Sequence, residues 1–283
     1  MRTLEILSIL VNHYAMSNIA QIIRLQSAIP SIASPGRVDL VGAGPGDPEL
    51  LTVKAHRLIC QAQLIIHDRL IATPILDLAP AEATLMEVGK QGFGTSWTQA
   101  AINALLIEQA QQGINIVRLK SGDATLFGRL DEEIQALTEA GVAWSIVPGI
   151  TAASAATAAI GQSLTCRQRN SSMQFLTGHD MAGFAHHDWR ALARPGCVAA
   201  IYMGMRAARF LQGHLLMQGA AANTPVSIIE SASRPNQRII AATLGTLVEH
   251  IQAASIAGPA VLLYGLEPRD AVAVDLPAHQ AAL

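Results

Sequence analysis

The chain has 283 residues, of which 51% are hydrophobic, and a formal net charge of −2. This composition predicts a packed globular protein and excludes a largely disordered chain. A near-neutral charge without blocks of like charge argues against a nucleic-acid-binding protein, which usually carries a basic excess.

The apolar content does not indicate a membrane protein. The longest candidate stretch, residues 150–160, is too short to cross a bilayer and is interrupted by serine and threonine. The cysteines Cys60, Cys166 and Cys197 form no CxxC pair, so they indicate neither a zinc site nor a disulfide framework. We therefore predict a cytoplasmic protein with no membrane attachment.

The first 36 residues differ in character from the rest of the chain. An apolar run at residues 4–11 follows Arg2 and resembles a signal peptide slightly, but Glu5 interrupts it. We predict a poorly ordered extension over residues 1–36 that ends in a linker rich in proline and serine. A start site at Met16 is the alternative.

Predicted strands and helices alternate through residues 37–147. The strands are predicted at residues 37–41, 64–67, 84–88, 115–120 and 144–147, and the helices at 49–61, 73–78, 98–112 and 130–140. This alternation predicts an α/β layer structure with much parallel pairing.

The Pro148-Gly149 pair marks a break, after which a helix is predicted at residues 151–160. Further strands are predicted at residues 173–177, 198–203, 226–230, 239–243 and 260–264, with helices at 207–218 and 246–254. We predict two α/β domains, residues 37–148 and 149–268, and a tail over residues 269–283.

A glycine-rich turn, GAGPGD at residues 42–47, follows the first predicted strand. Its third glycine falls one place too early for a dinucleotide-binding fingerprint, and Pro45 removes a backbone donor. No Lys-Ser or Lys-Thr pair follows, so the turn is not a P-loop. Taken alone, it is equally a tight turn or a loop that lines a ligand.

A wider set of motifs resembles the tetrapyrrole methylases. The string VGAGPGDPELLT at residues 41–52 resembles the opening signature of that family. Other family segments follow in the family's order: HDRL at 67–70, VGK at 88–90, RLKSGD at 118–123, FGR at 127–129 and VPGITA at 147–152. The resemblance covers about residues 37–267.

The chain departs from the family pattern at a few positions. The usual Gly-Gly-Asp-Pro of the central loop is SGDA at residues 121–124, and a small pair after Arg129 is replaced by Leu130-Asp131. A Thr-His-Arg stretch contains Cys166, and His67 replaces a tyrosine. These changes bear on substrate choice more than on the fold.

The resemblance implies a two-domain fold with the active site in the interdomain cleft, near Pro148-Gly149. It implies methyl transfer from S-adenosylmethionine to carbons 2 and 7 of uroporphyrinogen III, giving precorrin-2 through precorrin-1. It also implies a homodimer. Whether the product feeds sirohaem, cobalamin or haem d1 is left open.

The resemblance also assigns site residues. Asp68 is the expected proton acceptor and Lys90 the expected proton donor, although Lys90 is equally suited to bind a carboxylate. The substrate's carboxylates are expected to bind Arg129, Lys120 and Arg167, because guanidinium and ammonium groups form charge-assisted hydrogen bonds with carboxylates.

The expected cofactor-binding residues are spread along the chain. They are Pro45, Ser121, Gly122, Asp123, Leu126, Thr151, Ala152, Met203 and Ala232. Physically, Gly122 permits close backbone approach, Asp123 offers an acceptor, and Leu126 and Met203 offer apolar contact.

No metal is expected. A histidine- and aspartate-rich stretch at residues 179–188 matches no helical metal motif such as H-E-x-x-H. Two alternatives to the implied activity stay open: methylation of a later corrin precursor, and a catalytically silent regulator that binds S-adenosylmethionine.

Overall fold

The computed structural model describes residues 35–89 and 97–269, and Gly36 begins the compact unit that holds both sheets. The first sheet has five strands, and every neighbouring pair is parallel, in the order β3-β2-β4-β1-β5. These strands are β1 (Arg37–Gly42), β2 (Leu64–His67), β3 (Thr84–Glu87), β4 (Ile116–Lys120) and β5 (Ala143–Val147).

Helices cover both faces of the first sheet. One face packs against α1 (Val53–Cys60) and α2 (Thr73–Leu76), and the other against α3 (Gln99–Gln111) and α4 (Leu130–Glu139). Burial on both faces explains the apolar residues 64–66 of β2, and it also buries the charged residues Asp39 of β1 and Arg118 and Lys120 of β4.

The second sheet also has five strands, in the order β6-β7-β10-β8-β9. Only the β6–β7 pair is parallel; the others are antiparallel. These strands are β6 (Gln174–Thr177), β7 (Ala199–Tyr202), β8 (Pro225–Glu230), β9 (Arg238–Thr243) and β10 (Ala260–Tyr264).

The second sheet is covered by helices of unequal size. The alanine-rich α5 (Ala152–Ala159) packs on one face. The other face holds α6 (Trp189–Leu192), α7 (Ala208–Met217) and α8 (Leu247–Ala254). Small side chains let α5 lie close to the strands, which brings its first turn near the carboxyl end of β7.

The α/β prediction is confirmed, with two local differences. The helix predicted at residues 49–61 is a 3-10 turn (Pro48–Leu50) followed by α1. The two are separate because Thr52 is extended and its hydroxyl accepts from the Ala55 N–H, which starts a new helix. The short α6 was not predicted.

The domain boundary at residue 148 stays a prediction. The predicted extension over residues 1–36 and the tail over 269–283 lie almost wholly outside the described residues. Within residues 35–89 and 97–269, no helix is long and apolar enough to cross a bilayer.

Candidate functional site

A cavity of about 650 Å³ lies where the loops after β1, β2 and β4 meet the loops after β7 and β8. The carboxyl ends of parallel strands are where ligands of α/β sheets usually bind. The volume suits a small-molecule ligand or cofactor.

The structure brings most of the predicted site residues together around this cavity. All nine expected cofactor residues line it, although they span residues 45–232: Pro45, Ser121, Gly122, Asp123, Leu126, Thr151, Ala152, Met203 and Ala232. Asp68 and Lys120 line it as well. Lys90 lies outside the described residues.

Three glycine-containing loops, each with residues that line the cavity, are in backbone contact with one another. Gly44 and Gly122 exchange N–H to C=O hydrogen bonds of 3.1 and 2.8 Å. A Cβ placed on Gly42 would lie 2.6 Å from the Gly149 nitrogen and 2.8 Å from the Gly122 oxygen. The glycine-rich turn is thus both a tight turn and, through Pro45, part of the cavity wall.

Asp123 is held in place by its own loop and by the junction after β5. Its Oδ1 accepts from the Thr125 N–H at 2.7 Å and from the Thr125 hydroxyl at 2.6 Å. Its Oδ2 accepts from the Gly149 N–H at 3.3 Å. These bonds fix the carboxylate at the cavity without help from a ligand.

Tyr202 links the end of β7 to the start of α5. Its hydroxyl accepts from the Ala153 N–H at 3.0 Å and is hydrogen-bonded to the Thr151 hydroxyl. The ring of Phe127 lies 5.3 Å from the Tyr202 ring, centroid to centroid. Burial raises the pKa of Tyr202, so the hydroxyl stays neutral. The role of Tyr202 was not predicted.

A buried network of charges stands behind Asp68. Arg118 in β4 is 2% exposed; its Nη2 donates to Asp68 Oδ1 at 2.6 Å and its Nε to Glu133 Oε1 at 3.1 Å. Lys120 donates to the same Glu133 oxygen at 2.9 Å. Asp68 is 34% exposed, so this carboxylate connects the buried network to the cavity.

The pKa values of the two cations shift in opposite directions. Burial lowers the pKa of Arg118, but the charges of Asp68 and Glu133 outweigh burial and raise it above its ordinary value. Burial lowers the pKa of Lys120, the charge of Arg118 lowers it further, and Glu133 opposes both only in part. Arg118 is therefore a fixed cation beside Asp68, and Lys120 is the more readily titrated group.

The two other predicted substrate-binding residues lie apart from Asp68. Arg129 has a left-handed φ of 52° and pairs with Glu132 through bonds of 2.7 and 2.6 Å. It follows Gly128, which lines the main cavity, but Arg129 itself is not part of the lining. Arg167 lines a separate cavity of about 510 Å³, formed by the loop of residues 165–171.

Arg234, which no motif indicated, also lines the main cavity. It lies in the loop after β8 and donates to the carbonyls of Pro45 (Nε, 3.2 Å) and Leu70 (Nη2, 2.6 Å). The same loop holds Ser233, whose hydroxyl accepts from the Asp47 N–H. Arg234 thereby joins the second sheet's loop to the loops after β1 and β2.

The histidines of the stretch at residues 179–188 contact neighbouring parts of the protein. His179 Nδ1 lies 3.1 Å from the Met203 carbonyl oxygen, and His187 Nε2 lies 2.9 Å from the Thr177 carbonyl oxygen. His186 packs against the Phe210 ring. Over residues 35–89 and 97–269, no group of three or more histidine, cysteine or acidic residues is placed to hold a metal.

Solved structures similar to this chain include two methyltransferases. The uroporphyrin-III C-methyl transferase from Thermus thermophilus, complexed with S-adenyl homocysteine, is 35% identical with a TM-score of 0.69, covering 81% of this chain and 92% of that one. Cobalt precorrin-4 methyltransferase has a TM-score of 0.73 but 24% identity, covering 81% and 94%, and supports the fold alone.

Curated relatives extend the comparison. The siroheme synthase of Pseudoalteromonas translucida is 42% identical over 243 residues, 86% of this chain and 51% of the relative. Siroheme synthase 2 of Aeromonas hydrophila is 43% identical over 230 residues, which are 81% of this chain and 48% of that relative. The chain thus spans about half the length of these relatives. Residues 37–248 match the model of the tetrapyrrole (corrin/porphyrin) methylases, and the chain belongs to that family.

Proposed function

We propose that the chain transfers methyl groups from S-adenosylmethionine to carbons 2 and 7 of uroporphyrinogen III, giving precorrin-2 through precorrin-1. One observation carries the proposal: the nine residues expected to hold the cofactor line a single cavity together with Asp68 and Lys120. The likeness to the Thermus thermophilus enzyme, whose structure contains S-adenyl homocysteine, supports it.

The cavity lining fits the proposed cofactor. Leu126, Met203 and Ala232 supply apolar surface for an adenine ring, and Asp123 supplies an acceptor for ribose hydroxyls. Gly122 has a φ of +69°, which lets its backbone approach a ligand closely. When bound, the cofactor supplies an electrophilic methyl group on sulfur.

The chain's own residues orient the substrate and manage a proton. The nucleophile is an electron-rich pyrrole carbon of the substrate, so no protein nucleophile is required. Asp68 is the proposed proton acceptor, because its carboxylate is partly exposed at the cavity and is held by Arg118. Lys90 is the proposed proton donor.

The acidic side chains of uroporphyrinogen III require cationic partners on the protein. We assign this role to Lys120, Arg129 and Arg167. Arg129 is in an exposed pair with Glu132, which costs little to break, so it is able to exchange Glu132 for a substrate carboxylate. Lys120 faces the cavity while its ammonium group is held by Glu133.

The direct test is incubation with uroporphyrinogen III and isotopically labelled S-adenosylmethionine, with mass spectrometry of the product. The expected product carries two labelled methyl groups. Asp68→Asn should retain S-adenosylhomocysteine affinity and lose turnover, whereas Asp77→Asn, at an exposed position after α2, should behave like the wild type.

The alternatives predict other results. A silent regulator binds S-adenosylhomocysteine but produces no labelled tetrapyrrole. A methylase of a later corrin precursor leaves uroporphyrinogen III unlabelled and labels precorrin-2. Either result would overturn the proposed substrate.

We also propose a cytoplasmic homodimer. The described cysteines Cys60, Cys166 and Cys197 are free thiols, as expected in a reducing compartment. Sedimentation equilibrium at micromolar concentration should give twice the chain's mass of 29.9 kDa. A single species at the chain's own mass would contradict the dimer.

A further inference from the structure

Arg234 is a cation at the cavity wall without an anionic partner among the described residues. The ion pairs of these residues involve Arg37, Arg118, Lys120, Arg129 and Arg238, but not Arg234. Burial lowers the pKa of Arg234, and no carboxylate within residues 35–89 and 97–269 offsets this effect. A guanidinium remains charged at neutral pH, so a partly buried positive charge faces the cavity uncompensated.

The position of Arg234 is fixed before any ligand arrives. Its Nε and Nη2 donate to the carbonyl oxygens of Pro45 and Leu70. Its side chain passes directly over Gly46, where a Cβ would lie 2.7 Å from Arg234 Cγ and Nε. A side chain at Gly46 would therefore displace the guanidinium.

After these two bonds form, the guanidinium of Arg234 still has N–H donors to offer a ligand. A guanidinium has five N–H donors, and the two bonds to carbonyl oxygens use only some of them. No described residue accepts from Nη1. Carbonyl oxygens orient the group but carry no full charge, so they do not neutralise it.

We propose that Arg234 binds a carboxylate of a ligand in the cavity. A carboxylate matches the remaining fork of donors and supplies the missing charge. The proposed function provides two sources, the homocysteine carboxylate of the cofactor and an acidic side chain of the tetrapyrrole. The inference rests on that function for the identity of the ligands, and on the geometry for the chemistry.

A purely structural role for Arg234 makes a different prediction. If the side chain served only to join the loops after β1, β2 and β8, its loss would weaken the binding of every ligand of the cavity to the same extent and would lower the stability of the fold. If it binds a carboxylate, its loss weakens only ligands that carry the contacted carboxylate.

The test compares ligands with and without that group. Affinities of S-adenosylhomocysteine and of 5′-methylthioadenosine, which lacks the amino-acid carboxylate, are measured by calorimetry for wild type, Arg234→Gln and Arg234→Lys. The KM for uroporphyrinogen III is measured at saturating S-adenosylmethionine. Arg190→Gln, at an exposed position on α6, is the matched control.

Loss of a charge-assisted contact should weaken the affected ligand roughly 10- to 100-fold in Arg234→Gln, and less in Arg234→Lys. If the affinity for S-adenosylhomocysteine falls while the affinity for methylthioadenosine stays unchanged, Arg234 binds the carboxylate of the cofactor. If the KM for uroporphyrinogen III rises while the affinity for S-adenosylhomocysteine stays unchanged, Arg234 binds a carboxylate of the tetrapyrrole.

The inference would be overturned if S-adenosylhomocysteine and methylthioadenosine lost affinity equally, or if the binding of no ligand changed. A wild type that binds S-adenosylhomocysteine but does not methylate uroporphyrinogen III would defeat the proposed function only. In that case the calorimetric comparison alone decides whether Arg234 contacts a carboxylate.

Discussion

Arg118 and Asp68 are joined by a hydrogen bond of 2.6 Å that runs from the interior of the first sheet to the edge of the cavity. The arginine is almost fully buried and the aspartate is partly exposed. The proposed proton acceptor therefore takes its orientation from a group that no ligand reaches.

Arg118→Met should destabilise the fold strongly. Removing Arg118 leaves the fully buried Glu133 with less compensation, and breaking such a buried pair costs about 3–5 kcal/mol. Arg129→Met removes an exposed pair with Glu132 and should cost at most about 1 kcal/mol. Urea unfolding measures the free energy of unfolding of both variants. Equal losses of stability would contradict the role of Arg118 in compensating the buried Glu133.

Lys120→Met should change how stability depends on pH. The pKa of Lys120 in the fold lies below its ordinary value of 10.5, so between the two values the unfolded chain binds more protons than the folded chain. The contribution of Lys120 to wild-type stability must therefore rise with pH in that window, and the variant lacks this contribution.

The measurement is the free energy of unfolding from about pH 7 to about pH 10.5. The wild-type value minus the Lys120→Met value should be flat below the lowered pKa and increase above it. A difference that stays constant or falls as pH rises would show that Lys120 is not electrostatically penalised.

Tyr202→Phe should weaken the cofactor site without unfolding it. The change removes the bonds to the Thr151 hydroxyl and the Ala153 N–H at the start of α5, while the ring contact with Phe127 remains. Losing such a bond costs about 1 kcal/mol, or roughly five-fold in S-adenosylhomocysteine affinity.

The control is Tyr264→Phe. Tyr264 is buried in β10, its hydroxyl is hydrogen-bonded to Thr224, and it does not line the cavity. This variant should lose some stability and keep its S-adenosylhomocysteine affinity. Equal affinities for wild type and Tyr202→Phe would remove Tyr202 from the site.

Glu132→Gln should improve the use of substrate if Arg129 binds a substrate carboxylate. The change removes the charge that competes for the guanidinium, and an exposed pair of this kind is worth at most about 1 kcal/mol. The KM for uroporphyrinogen III should fall by up to about five-fold. Glu139→Gln, on the exposed side of the same helix, should leave the KM unchanged. An unaltered KM in Glu132→Gln would contradict the role of Arg129 in binding a substrate carboxylate.

The local elements were predictable because they depend on nearby residues. The strands of the first sheet are short segments rich in apolar residues, and their predicted bounds lie within one residue of the observed ones. The antiparallel order of the second sheet was not predictable from local pattern, because pairs such as β10 with β7 join segments far apart in the chain.

The same distinction applies to the site. Family motifs identified residues whose positions follow from strand ends, such as Asp68 and Asp123. Arg234 was missed because its role depends on a contact with Pro45, 189 positions away. Glu133 was missed because an acidic residue in a helix is usually solvated, and only the packing of α4 turns it inward.

The backbone contact of Gly42, Gly122 and Gly149 restricts how this site is able to change. A Cβ on Gly149 would lie 2.2 Å from the Gly122 oxygen, and one on Gly42 would meet both other loops, so the clashing atoms are backbone and have no rotamer to move into. A side chain at Gly42 or Gly149 would therefore require the backbones of the neighbouring loops to move as well. Substitutions that alter ligand preference are therefore expected to be tolerated at cavity-lining residues such as Phe127, Met203 and Arg234 rather than at these three glycines.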